Sequence, residues 1–384
     1  MKFHFDRVED IDGVITENAK YGDIVNVLTR TLLTSDDPRF YQYLESISNI
    51  FLKGIFIDGV YQFLIVIHES LSADLYINDF VVSIETRLKR ADIKVGEVVT
   101  QNDIADIRKV KFPDIEIKDT DKIIYCFKVG WRFGFFFDLT PRPKPIGGTQ
   151  PIGVKKLDIE EMALSIGELR RYLSFYHVYK VLESDAQFEE MKKDGWFPFI
   201  EILAREYKEL SEAYQNKFDF ENQIRVVVDT FTEERIKKIT EKWWAKQIFA
   251  DKKTLIEAGI GAFTQNTTNG FVNCIKNLWT EIEGILRILY LTETGKGQNV
   301  TSNELSEYIV EKAKDKTGSG YSLFLALPFL KYLQDVVFPS FNIERGTPDM
   351  SRHTSSHGVA GAQDYTKNRA LQLILILDQI YFYS

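Results

Sequence analysis

Cysteine is almost missing: Cys126 and Cys274 are the two in 384 residues, and they lie far apart. That excludes a disulfide framework and a cysteine-based zinc site. Apolar runs are short as well, none approaching the ~20 residues that a spanning helix needs. The opening Met1-Lys2-Phe3-His4-Phe5-Asp6 turns charged too early for a secretory signal, so a cytoplasmic protein with no membrane partner is expected. A phosphate-binding loop of the G-x4-G-K-S/T form is absent, since Gly295-Lys296-Gly297 lacks the spacing, and ATP hydrolysis is not expected. No repeat period emerges. Positive charge is also in deficit. At a net charge of −8 the chain as a whole repels a polyanion, and any nucleic-acid contact must come from a local basic site.

What is present argues for folded domains. The hydrophobic content of 44%, with 13% aromatic residues, fits compact folding rather than disorder, and 384 residues suffice for two or three domains. Three- and four-residue steps of Tyr41, Leu44, Ile47 and Phe51 predict a helix over 40–52. The pattern then becomes that of strands. Asp58-Gly59 between apolar segments predicts a hairpin, and 74–85 reads as a second strand pair about Asn78-Asp79. Over 131–138, Trp131, Phe133, Phe135 and Phe137 alternate with their neighbours, and with 123–127 and a turn at 128–130 they predict another hairpin. Such an aromatic row can stack unpaired bases, but a core face is the commoner use. His4 and His68 sit in apolar surroundings without a matching carboxylate or cysteine cluster and read as structural, and His177, in a Phe-Tyr-His-Val-Tyr run, reads as packed.

Four of the ten prolines fall within 140–151 beside a glycine pair, which neither a helix nor a central strand can cross. The expected division is therefore a β-rich domain over 1–140 with a sensing or targeting role, a linker over 141–153, a helical region over 154–250, and a helical bundle over 251–384. This is an α+β chain, with an all-α C-terminal part. Amphipathic stripes run over 158–179, 200–214, 231–249, 252–263 and 271–290. Thr301-Ser302-Asn303-Glu304 forms a capping box, and Pro328 should kink or start the helix read over 321–338. The last helix is apolar nearly all round from Leu371 to Ile380, so Asp378 within it needs a partner.

Ahead of that helix, Ser351-Arg352-His353-Thr354-Ser355-Ser356-His357-Gly358 carries no hydrophobic pattern. Arginine offers a charged planar fork to phosphate oxygens, and histidine exchanges a proton near neutral pH. Together they suit phosphodiester cleavage. If helical, His353 and His357 share a face; if not, Arg352 can swing toward His357.

Arg352-x4-His357 resembles the R-x4-6-H signature of the HEPN superfamily of helical RNases, and the resemblance extends over about the last 130 residues, including the helix with Trp279–Arg287. It implies a HEPN-type bundle acting as a metal-independent endoribonuclease without cofactors, with Arg352, His357 and His353 catalytic. It further implies a homodimer in which two motifs face one cleft and a cyclic phosphate is left on the product. Relatives commonly act as toxins or in defence against phage, which brings in RNA and an antitoxin or inhibitor protein as partners. Ser356 and the cations Arg345, Lys367 and Arg369 bracket the motif as candidate substrate contacts, and Glu283 and Arg287, four apart, either support the site or pair on the surface. Two other readings stay open: a non-catalytic helical module binding RNA, nucleotide or protein, and a metal pair of His353 and His357, which lacks an obvious third ligand.

Overall fold

The strand-like stretches of the first half become one antiparallel sheet of six strands, in the order β1-β6-β5-β9-β10-β4. These are β1 (Lys2–Phe5), β4 (Arg30–Thr34), β5 (Gln62–Ile67), β6 (Ala73–Ile77), β9 (Lys122–Val129) and β10 (Arg132–Asp138). Two minor pairs join β2 (Val14–Ile15) to β3 (Val27–Leu28), and β7 (Ser83–Leu88) to β8 (Ile104–Lys111). The computed structural model describes residues 1–52, 59–90, 93–140, 156–296, 299–317, 322–339 and 361–384. By internal contacts they form two units: Met1–Thr86 with Ile107–Tyr176, and Arg87–Asp106 with His177–Ser384.

In the first unit both faces of the sheet are covered. Helix α1 (Phe40–Phe51) lays Phe40, Tyr43, Ile47 and Phe51 against Phe63, Ile65, Cys126, Phe135 and Phe137. Helix α2 (Ile159–Ser174) lays Met162, Ile166, Leu169 and Leu173 against Leu64, Val66, Tyr125, Phe127 and Phe136 on the opposite face. A strand buried on two faces needs no polar alternation, which is why β5 reads Gln-Phe-Leu-Ile-Val-Ile. The aromatic row of β10 is thus a core row; Phe135, Phe136 and Phe137 are all fully buried, and Trp131 alone of the series stands exposed. Close approach of α2 depends on two glycines. A Cβ on Gly134 would meet Leu173 and Leu169 at 2.8 and 2.9 Å, and a Cβ on Gly167 would collide with the Arg108 carbonyl.

The hairpin of β9 and β10 forms as expected, pairing Val129 with Arg132 across a turn in which Gly130 has φ 59°. The pair expected about Asn78-Asp79 does not form, although strands flank it. Asn78 (φ 58°) accepts the Tyr61 and Gln62 N–H groups at 3.0 and 3.3 Å, which closes the β5–β6 hairpin and sends the chain away to pair β7 with β8. The upstream half of the hairpin expected at Asp58-Gly59 lies outside the described residues.

The second unit is helical: α3 (Tyr176–Glu183), α4 (Asp185–Lys193), α5 (Arg205–Asn216), α6 (Phe220–Asp229), α7 (Glu233–Glu241), α8 (Gln247–Asp251), α9 (Lys253–Thr264), α10 (Thr268–Thr294), α11 (Ser302–Thr317), α12 (Ala326–Tyr332) and α13 (Lys367–Tyr383). Pro328 is the third residue of α12, where its missing N–H is not needed, so it starts the helix rather than kinking it. Glu304 accepts from the Thr301 N–H at 2.7 Å and returns its own N–H to the Thr301 hydroxyl, completing the capping box of α11. Helix α13 is the centre of this unit, packing on α6, α9, α10 and α11. The units divide at Tyr176 and His177 rather than within 141–153, which lies outside the described residues. Helix α2 belongs with the sheet because its apolar stripe is spent there, and the segment Arg87–Asp106 belongs with the helices.

Candidate functional site

Arg345, Arg352, His353, Ser356 and His357 lie outside the described residues. The helix C-terminal to them is firmly anchored. Thr366 caps α13, its hydroxyl accepting the Arg369 N–H at 3.2 Å, and the helix then buries every residue from Ala370 to Ile380. Its polar side chains are used internally. Gln379 accepts the Ile200 N–H at 2.9 Å, Gln372 donates to the Asp194 carbonyl at 2.9 Å, and Asp378 takes Trp243 Nε1 at 2.7 Å and Lys242 Nζ at 2.8 Å. The partner that Asp378 demanded is therefore a lysine with an indole. Burial still pushes its carboxyl up, against the pull of Lys242 and Trp243.

The other sequence candidates are separated into local pairs. Lys367 reaches Asp229 on α6 at 2.6 Å. Arg369 lies so close to Gly195 (φ 83°) that a side chain there would collide with it, and the Gly195 carbonyl accepts the Tyr332 hydroxyl at 2.8 Å. Glu283 and Arg287 bond within one helix, Nε to Oε1 at 2.9 Å, and Arg287 also donates to the Val300 carbonyl at 3.0 Å. No described helix is long and apolar enough to cross a membrane.

A charged pocket of about 450 Å³ opens elsewhere in the helical unit. Its cations are Lys89, Arg90, Arg235, Lys238 and Lys242, and its carboxylates are Asp103, Glu201 and Glu241. Arg235 donates to Glu206 at 2.7 Å and to the Thr230 hydroxyl at 3.0 Å while its guanidinium stacks 3.9 Å from the Phe231 ring. Arg90 pairs with Asp103 at 2.9 Å. Burial pushes the Asp103 carboxyl up, but hydrogen bonds from Thr100 and the charge of Arg90 outweigh it and hold the group below the usual range. Lys89 is different. Its buried Nζ donates only to main-chain carbonyls, Ile200 at 3.3 Å and Glu201 at 2.7 Å, and burial holds its amine below the ordinary lysine value.

No protein-family model, no curated protein and no solved structure matches the chain. The site therefore rests on its own chemistry. His177 is packed as read: Nε2 lies 2.7 Å from the Leu203 carbonyl, and burial lowers its pKa. His4 and His68 have carboxylates that local sequence hid, because strand pairing supplies them. His4 Nδ1 is 2.7 Å from Asp74 across the β1–β6 pair, and His68 Nδ1 is 3.2 Å from Asp121. The pocket was missed too, yet part of it was visible. Arg235, Lys238 and Lys242 recur at three- and four-residue steps and so lie along one face of α7 and its end.

Proposed function

We propose that the helical unit is of HEPN type and carries a metal-independent endoribonuclease centre built on Arg352 and His357. The observation supporting this is the R-x4-H motif preceding in sequence α13, a helix buried from Ala370 to Ile380. Burying such a helix at roughly 25 cal/mol per Å² of apolar surface anchors the chain from Lys367 onward. In the proposed reaction His357 takes the proton of an RNA 2′-hydroxyl. The freed 2′-oxygen attacks the adjacent phosphorus, Arg352 holds the phosphoryl oxygens, and the bond to the 5′-oxygen breaks as that oxygen gains a proton. The products are a 2′,3′-cyclic phosphate and a 5′-hydroxyl. One histidine cannot hold both proton roles at once, so the second comes from His357 of a partner in a homodimer or from His353 of the same chain. Ser356, Arg345, Lys367 and Arg369 would line the approach of the RNA backbone; Lys367 does so by exchanging Asp229 for phosphate. A toxin or phage-defence effector, restrained by an antitoxin or inhibitor protein, is the setting this chemistry fits.

The test is cleavage of a mixed cellular RNA pool by the purified chain in EDTA, beside His357→Ala and Arg352→Ala, with the product ends analysed. Cyclic phosphate ends from the wild type, with each variant slowed at least about a hundredfold, are expected. Loss of wild-type activity in EDTA would turn His353 and His357 into metal ligands. Absence of cleavage by every form would leave a non-catalytic binding module, the reading that the charged pocket favours.

A further inference from the structure

The pocket of the helical unit has features that folding alone does not require. Of its five cations, Arg90, Arg235, Lys238 and Lys242 have carboxylate partners in Asp103, Glu206, Glu234 and Asp378, which leaves Lys89, among the described residues, as the unmatched one. At about 450 Å³ it falls in the size range of small-molecule sites. Its deepest cation, Lys89, has three N–H donors and spends two of them on the Ile200 and Glu201 carbonyls; among the described residues it forms no ion pair. Burial already disfavours that charge, and an anion seated beside it would offset the cost. Arg90 and Lys238 stand at the exposed rim, on pairs to Asp103 and Glu234 that solvent weakens.

We propose that this pocket binds a small phosphorylated polyol, a pentose or hexose phosphate, with its phosphoryl group at Lys89, Arg90 and Lys238. A phosphoryl group offers three oxygens to lysine and arginine donors lining one pocket, which a single carboxylate does not. The rest of the lining selects the remainder of the ligand. Asn102, Asp103 and Glu241 are polar groups suited to hydroxyls. Among the described residues Ile239 is the lone apolar lining side chain and no aromatic ring lines the pocket, so there is no stacking face for a base. The assignment does not depend on RNA cleavage, and its test contains no RNA.

Isothermal titration of the full chain with ribose 5-phosphate, glucose 6-phosphate, inorganic phosphate, ribose and adenosine monophosphate tests it. Binding of one sugar phosphate at least about tenfold tighter than inorganic phosphate is expected, with no binding of ribose. Arg90→Ala and Lys238→Ala, both exposed and away from the core, should each weaken binding about tenfold while leaving the thermal melt unchanged. Silence toward both sugar phosphates would overturn the proposal. So would undiminished binding by the two variants, or adenosine monophosphate binding more than about tenfold tighter than ribose 5-phosphate, which would show that a base is recognised.

Discussion

Each unit buries two lysines, Lys109 and Lys122 in one, Lys89 and Lys192 in the other, and Lys122 and Lys89 are held in opposite ways. In the sheet unit Lys122, 2% exposed, is met by Asp10 at 2.9 Å, Asp12 at 2.8 Å and the Ile11 carbonyl at 2.7 Å. In the helical unit Lys89, 9% exposed, is met by two carbonyls and, among the described residues, no carboxylate. Lys122 is neutralised where it sits, so its use is spent in tying residues 10–12 to the first residue of β9. Lys89 keeps an unmatched charge at the wall of a pocket. A buried charge with a full set of partners serves the fold, and one left short of them is available to a ligand.

Asp378 tests that distinction most severely, because it is a matched charge inside the helical unit. Asp378→Ala removes the partner of both Lys242 and Trp243 Nε1 in a fully buried place, and should cost about 3–5 kcal/mol in urea unfolding. A loss under about 1 kcal/mol would show that matched charges do not hold this unit together.

The lysine pair itself is next in size. Lys122→Met abandons two partly hydrated carboxylates and should cost about 2 kcal/mol. Lys89→Met removes a charge the fold is burdened with and two neutral hydrogen bonds, so its cost at neutral pH should stay under about 1 kcal/mol. The pH dependence separates them further. Burial lowers the Lys89 pKa, with Arg235 and Lys242 adding to the effect and Glu201 and Glu206 opposing it, so the unfolded chain binds that proton more readily than the folded one. Stability then rises with pH as it climbs toward the ordinary value of 10.5, and wild type should gain on Lys89→Met over that rise. A difference that shrinks over this range would mean that the cation is favoured in place and that the contrast with Lys122 is unfounded.

How far the sequence discloses these features depends on their range along the chain. Helix α1, the β9–β10 hairpin, the Thr301 cap and the buried run of α13 are written in local periodicity and turn chemistry, and all are present. The need of Asp378 for a partner was legible from its apolar neighbours, but the identity of that partner, 136 residues away in Lys242, was not. Two-sided burial of the sheet hid the membership of α2, because an amphipathic helix looks the same whether its stripe meets helices or strands. Lys89 escaped notice for a related reason: its partners are carbonyls of residues 200 and 201, and main-chain acceptors leave no mark in a sequence.

The smallest effect concerns Arg287, where fold and proposed function make opposite demands. Its pair with Glu283 is an i, i+4 bond on α10, and the arginine side chain is 43% exposed, so the pair contributes to stability about 0.3–0.5 kcal/mol. Arg287→Ala should therefore move the urea midpoint barely beyond error. If Arg287 supports RNA near the proposed centre, the same variant should slow cleavage several-fold through KM, and added salt should narrow the gap as phosphate contacts are screened. Equal, small losses in stability and no change in KM would assign the pair wholly to the helix. The cleavage assay would then owe nothing to Arg287, and Lys367 and Arg369 would be the remaining described cations to test as backbone contacts.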